Sequence, residues 1–157
     1  MKNCFICLLL LSLCIIVASR CPDSQFDDWK EYSGYCYFFS ERSTSWQAAK
    51  DTCAGDGGYL ADILSKEEND WISRRLNTYN DELHYYIGAT DRQHEGDFVW
   101  ENSGDALQYT NWREGEPNQW EGYPENCVEM KVEDGQWNDV PCDDILRFIC
   151  KLPVTRK

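Results

Sequence analysis

The chain of 157 residues carries 28 Asp and Glu against 15 Lys and Arg, a formal net charge of −13 at pH 7. A surface this acidic is repelled by phosphate backbones and by anionic membrane faces, which argues against a nucleic-acid partner and against binding to such a membrane.

At the N-terminus Met1-Lys2 is followed by an apolar run from Phe5 to Val17 and by the small residues Ala18 and Ser19. This is the pattern of a secretory signal peptide, with cleavage expected after Ser19. The run is shorter than the ~20 apolar residues a spanning helix needs. Residues 1–19 are therefore expected to be removed, and residues 20–157 to form one secreted, extracellular domain with no membrane insertion. Cleavage discards Cys4, Cys7 and Cys14 and leaves Cys21, Cys36, Cys53, Cys127, Cys142 and Cys150. An even set in a secreted chain implies disulfides, and spacing alone leaves about 15 pairings open. A Cys-ligated zinc site is disfavoured because no C-x-x-C pair survives in the mature chain.

Further along, Ser43 or Thr44 can cap a helix in which Trp46, Ala49 and Cys53 share a face and which Gly55, Gly57 and Gly58 end. Ser65-Lys66-Glu67-Glu68 reads as a capping box opening a second helix, with Ile72, Leu76 and Tyr79 along one face. From Tyr85 the signals change to short β-rich runs: Tyr85 to Gly88, Phe98 to Trp100, Cys127 to Val132 and Phe148 to Cys150. Between Asn102 and Asn126 lies a stretch of turn formers without periodicity. A loop that long in a compact domain is usually functional.

That loop carries Glu116-Pro117-Asn118 and Glu125, and Trp137-Asn138-Asp139 follows shortly after it. Three carboxylates and two carboxamides offer the oxygens that a hard cation such as Ca²⁺ collects, about six to eight at a time. Taken singly, Glu-Pro-Asn is an acidic turn and Trp-Asn-Asp a buried Trp before a turn; the combination, flanked by Cys127 and Cys142, is far more specific.

With Cys36-Tyr37-Phe38-Phe39, Gly58-Tyr59-Leu60-Ala61, Tyr86-Ile87-Gly88-Ala89, Asn111-Trp112 and Phe148-Ile149-Cys150, the pattern resembles the C-type lectin domain from Cys21 to Lys151. The resemblance implies an α+β fold: two short helices, short antiparallel strands, a long calcium-binding loop region and three disulfides. It pairs Cys21 with Cys36, Cys53 with Cys150, and Cys127 with Cys142. It also implies a cis peptide before Pro117, a state tolerated essentially only before proline.

By the same resemblance Glu116, Asn118, Glu125, Asn138 and Asp139 would ligate Ca²⁺, and the first four would also exchange hydrogen bonds with two neighbouring sugar hydroxyls. The Glu-Pro-Asn polarity implies mannose-type glycans, and the family context implies innate recognition of microbes. Asp91 and Glu95, with Gln119 and Asn126, stand where some members hold a second calcium. In galactose-type members a Trp at the place of Trp120 packs on the sugar face; here this would broaden the range to include galactose. Alternatively Trp120 packs inward against Tyr123 and Pro124. With all six mature cysteines committed internally, an oligomer is expected to be non-covalent.

Two other classes compete. A domain of the same fold could bind a protein or an ice surface, but five intact ligand residues with both amide donors argue against it. An enzyme is disfavoured: His84 and His94, the only histidines, lie in no H-E-x-x-H frame. Glycoside hydrolysis needs a carboxylic acid kept protonated, whereas a calcium beside the carboxylates holds them ionised.

Overall fold

The computed structural model describes residues 19–22, 29–76, 83–119 and 123–156. Residues 1–18 of the expected signal peptide 1–19, Tyr79 expected on the second helix, and Trp120 lie outside the described residues. In chain order the strands are β1 (Ser19–Arg20), β2 (Lys30–Tyr32), β3 (Tyr35–Phe39), β4 (Tyr59–Leu60), β5 (His84–Thr90), β6 (Val99–Trp100), β7 (Cys127–Lys131), β8 (Trp137–Val140), β9 (Arg147–Pro153) and β10 (Thr155–Arg156). The helices α1 (Trp46–Gly55) and α2 (Lys66–Leu76) fall between β3 and β5.

The main sheet runs β2-β3-β9-β5-β7-β8, with β4 added to β9 and β6 to β5. Its described pairings are antiparallel except β5 with β9, which run parallel. A separate pair, β1 with β10, brings the two ends of the domain together. Both faces of the sheet are covered. Tyr85, Ile87, Val128, Met130, Trp137 and Ile149 bury one face under α2 and the long loop. Tyr86, Phe148 and Cys150 bury the other with Trp46, Ala49 and Cys53 of α1.

The face of α1 is the one its periodicity predicts, but its cap is Ser45 rather than Ser43 or Thr44. Thr44 is held extended by reciprocal backbone hydrogen bonds to Leu146, at 2.8 and 3.1 Å, so the helix cannot begin there. The first N–H of the helix, that of Trp46, has no partner within the helix and is satisfied by the Cys142 carbonyl. At the other end Gly57 adopts φ +81°, and the Gly57 and Gly58 amides donate to Ala54 and Cys53. This is the Schellman closure that the glycine cluster foretold.

The box at α2 closes only halfway. Glu68 N–H donates to Ser65 Oγ at 3.2 Å, but the Glu68 carboxylate does not return to the Ser65 amide. It accepts instead from Leu64 N–H, from Tyr37 O–H and from Lys151, because the buried Lys151 Nζ needs carboxylates. Lys151 is 1% exposed and also donates to Asp62 Oδ1 at 2.6 Å.

Trp137-Asn138-Asp139 is a strand, not a turn. Trp137 is fully buried, ringed edge-on by Trp100, Tyr109 and Trp112, and its indole N–H donates to Asn69 Oδ1 of α2 at 2.8 Å. The three disulfides are Cys21–Cys36, Cys53–Cys150 and Cys127–Cys142, as the resemblance implied.

Candidate functional site

The long loop is pinned to β8 before it reaches Glu116. Trp137 N–H donates to the Asn111 carbonyl and Arg113 N–H to the Trp137 carbonyl, both at 2.8 Å, so residues 111–113 run alongside the strand. The Glu116–Pro117 peptide is cis. Asn118 Nδ2 donates to Glu116 Oε2 across the proline. Buried Asp139 clamps the turn from below: its carboxylate accepts the backbone N–H of Asn118 at 3.1 and 3.2 Å and of Gln119 at 3.1 Å. Gln119 itself holds φ +46°, a left-handed conformation uncommon without glycine.

The structure thus joins Glu116, Asn118 and Asp139 directly. Glu125 lies within electrostatic reach of Glu116. Asn138 precedes Asp139 on β8, and its side-chain amide is bonded to Glu129 of β7 at 3.2 Å rather than to the other three. Glu129, paired in turn with His84, went unnoticed in the sequence reading; the alternation of β7 marks it only as a charge among buried neighbours.

The Glu116 carboxyl is pushed above the usual carboxylate range, first by partial burial and then by the negative fields of Asp139 and Glu125, with Lys131 opposing. Asp91 is shifted upward as well, first by burial and then by neighbouring carboxylates, although the Gly96 amide hydrogen-bonded to it at 2.8 Å pulls the other way. Glu95 moves in the same direction through lost hydration and the charges of Asp91 and Asp139. Lost hydration leads in each case, and neighbouring like charges add to it.

The four residues expected to form a second calcium position also make contacts in pairs. Gln119 Nε2 donates to Glu95 Oε2 at 2.9 Å, and Asp91 N–H donates to the Asn126 carbonyl at 3.3 Å. Asp91 Oδ1 and Asn126 Oδ1 are buried without a hydrogen-bond partner. Buried acceptors left unsatisfied are costly, and a bound cation would satisfy such oxygens. The residues present therefore fit Ca²⁺ chemically. Among the described residues no three His, Cys, Asp or Glu side chains form a ready-made cluster; the gathered set mixes carboxylates with amides, and part of it is hydrogen-bonded to itself.

A sequence model of the Lectin C-type domain family matches residues 42–152. This chain is a C-type lectin domain. It is 36% identical over 148 residues to Lectin BRA-3 of Megabalanus rosa, covering 93% of this chain and 88% of that protein. It is 39% identical over 124 residues to the versican core protein of Rattus norvegicus, covering 78% of this chain but 4% of that one, so that likeness is to one domain of a far longer molecule. The cow CD23 carbohydrate-recognition domain, solved in the presence of a GlcNAc2Man3 oligosaccharide, superposes with a TM-score of 0.76 at 33% identity, covering 88% of this chain and 99% of that one.

C-type lectin domains are non-enzymatic binding modules, generally calcium-dependent, and this one is not an enzyme. Among the described residues no helix is long and apolar enough to cross a membrane.

Proposed function

We propose that this C-type lectin domain is a secreted, calcium-dependent lectin for mannose-type glycans, serving innate recognition of microbial surfaces. The observation that carries the reading is the clamp of Asp139 on the Glu116–Asn118 turn, which gathers two carboxylates and an amide on one edge of the sheet. Glu116, Asn118, Glu125, Asn138 and Asp139 would hold the principal Ca²⁺, and Asp91, Glu95, Gln119 and Asn126 a second. When bound, the ion supplies a positive centre whose shell two vicinal hydroxyls complete. The protein's own part is polarity: Glu116 and Glu125 accept hydroxyl protons while the Asn118 and Asn138 amides donate to hydroxyl lone pairs.

That the similar CD23 domain was solved in the presence of an oligosaccharide supports glycans as the ligand class. A glycan array read with calcium and again with excess chelator tests the proposal; mannose-type signals should appear only with calcium. Signals that persist in chelator would sink the mechanism whatever the fold. Trp120 belongs to the same reading: Trp120→Ala should selectively lower a weaker galactose signal, and an equal loss for both sugars would make it a packing residue. The proposed domain spans residues 20–157, after a leader of 1–19. A single exposed sugar site binds weakly, so avidity would come from a non-covalent oligomer.

A further inference from the structure

Glu129 on β7 lies directly opposite Asn138 on β8, and opposite Tyr86 on β5. His84 stands two residues before Tyr86 on β5. Alternate residues of a strand share a face, so His84, Glu129 and Asn138 form one row across three adjacent strands. Its hydrogen bonds are continuous: His84 Nδ1 meets Glu129 Oε2 at 2.7 Å, and Asn138 Nδ2 meets Glu129 Oε1 at 3.2 Å. Glu129 is 2% exposed, whereas His84 and Asn138 are half-buried.

A carboxylate offers only acceptors. It therefore decides which end of the Asn138 amide faces it: the NH2 must, and the carbonyl oxygen is turned away. Only one of the two amide protons is used, so the other remains for a further acceptor. His84, donating from Nδ1 to the second Glu129 oxygen, keeps the carboxylate from rotating out of this arrangement.

We infer that Glu129, braced by His84, is a positioning residue for the glycan site: it fixes the Asn138 amide so that its oxygen serves the cation and its spare N–H a sugar hydroxyl. This role rests on the reading of Asn138 as a ligand of a calcium-dependent sugar site. Neither Glu129 nor His84 touches the sugar or the ion in it. The donor and acceptor sense of the sugar contact is thus set one strand away from the contact itself.

The test is Glu129→Gln, which keeps the shape but can present either an oxygen or an NH2 to Asn138 and so no longer selects one orientation. In chelator-treated protein the side-chain NH2 resonances of Asn138, assigned with an Asn138→Asp variant, should shift and their two protons become more alike. With calcium, mannose affinity should fall about five- to tenfold, the scale of one misdirected hydrogen bond, while the melting temperature in chelator stays at the parent's value. His84→Phe should give the same signature in weaker form, and His84→Asn, which can place an N–H near the same point, should restore the parent's behaviour. Unchanged Asn138 resonances and unchanged affinity in both Glu129→Gln and His84→Phe would overturn the inference. So would a loss of affinity matched by a loss of chelator-state stability, which would make Glu129 merely structural. If the parent itself binds no mannose with calcium, the lectin reading fails first and takes this role with it; a binding parent beside an unaffected variant refutes the positioning role alone.

Discussion

At the scale of single residues, the site is a concentration of negative charge that the fold itself enforces. Glu116 and Asp91 are both held above the ordinary carboxylate range, burial being the first cause in each. In the calcium-free folded domain these two carboxyls therefore bind protons more readily than in the unfolded chain, and the stability they contribute falls as pH rises through the raised values. Lowering the pH from neutrality to about 5, just above ordinary carboxylate values, should accordingly raise the melting temperature in chelator. With calcium the sign reverses, since protons and cation compete for the same oxygens, and apparent calcium affinity should drop over the same window. A chelator-state melting temperature that falls steadily across that range would contradict the crowding described here. Lys151 is the opposite case, one cation buried between Asp62 and Glu68 with Tyr35 and Tyr37 against it. Lys151→Met would leave two buried carboxylates without their counter-charge and should cost about 3–5 kcal/mol in urea denaturation. A cost below about 1 kcal/mol would mean that water reaches the carboxylates.

Elements meet closely where β4 approaches β5 and β9, and glycine makes this possible. A Cβ on Gly88 would lie 2.4 Å from the Leu60 carbonyl oxygen, and one on Gly58 would lie 2.6 Å from that of Lys151. Both obstacles are backbone and cannot swing aside. Gly88→Ala should therefore destabilise the domain by about 1–3 kcal/mol, the usual range for overpacking, or more. On the proposed lectin reading, the loss should weaken sugar binding only in proportion to unfolding, because β5 holds none of the residues proposed to meet the sugar. Calorimetry beside a binding isotherm would separate the two effects; a variant as stable as the parent would show that β4 can shift.

For the whole molecule, the proposed ligand residues are far apart in sequence and joined only by the fold. Asp91 follows β5, Glu116, Asn118 and Glu125 lie between β6 and β7, and Asn138 and Asp139 lie on β8. A cation that binds this assembled set and not the unfolded chain stabilises the native state by mass action, by about 2.7 kcal/mol at a hundredfold excess over its dissociation constant. Saturating calcium should thus raise the melting temperature by several degrees, and Asp91→Asn should remove part of the gain if the second position contributes. An identical melting temperature with calcium and with chelator would leave no room for a bound cation in the folded state.

Much of this was legible in the chain. The face of α1, the glycine closure after it and the onset of β5 are local signals, written in periodicity, turn chemistry and residue type, and each survives in the structure. The resemblance added the disulfide pairing, which spacing left open. Whatever depends on which strand lies beside which could not be read in advance. Thr44 lost its capping role to a bridge with Leu146, and Glu68 left its capping box for Lys151, because long-range partners offered more than local ones. Trp137-Asn138-Asp139 became a strand because three aromatic rings and Asn69 enclose Trp137. Sequence by itself determined the chemistry available to this protein, since the oxygen donors are a property of the residues. Tertiary structure alone decided their orientation: the register of β7 against β8 sets Glu129 across from Asn138, and a carboxylate that only accepts hydrogen bonds turns the amide.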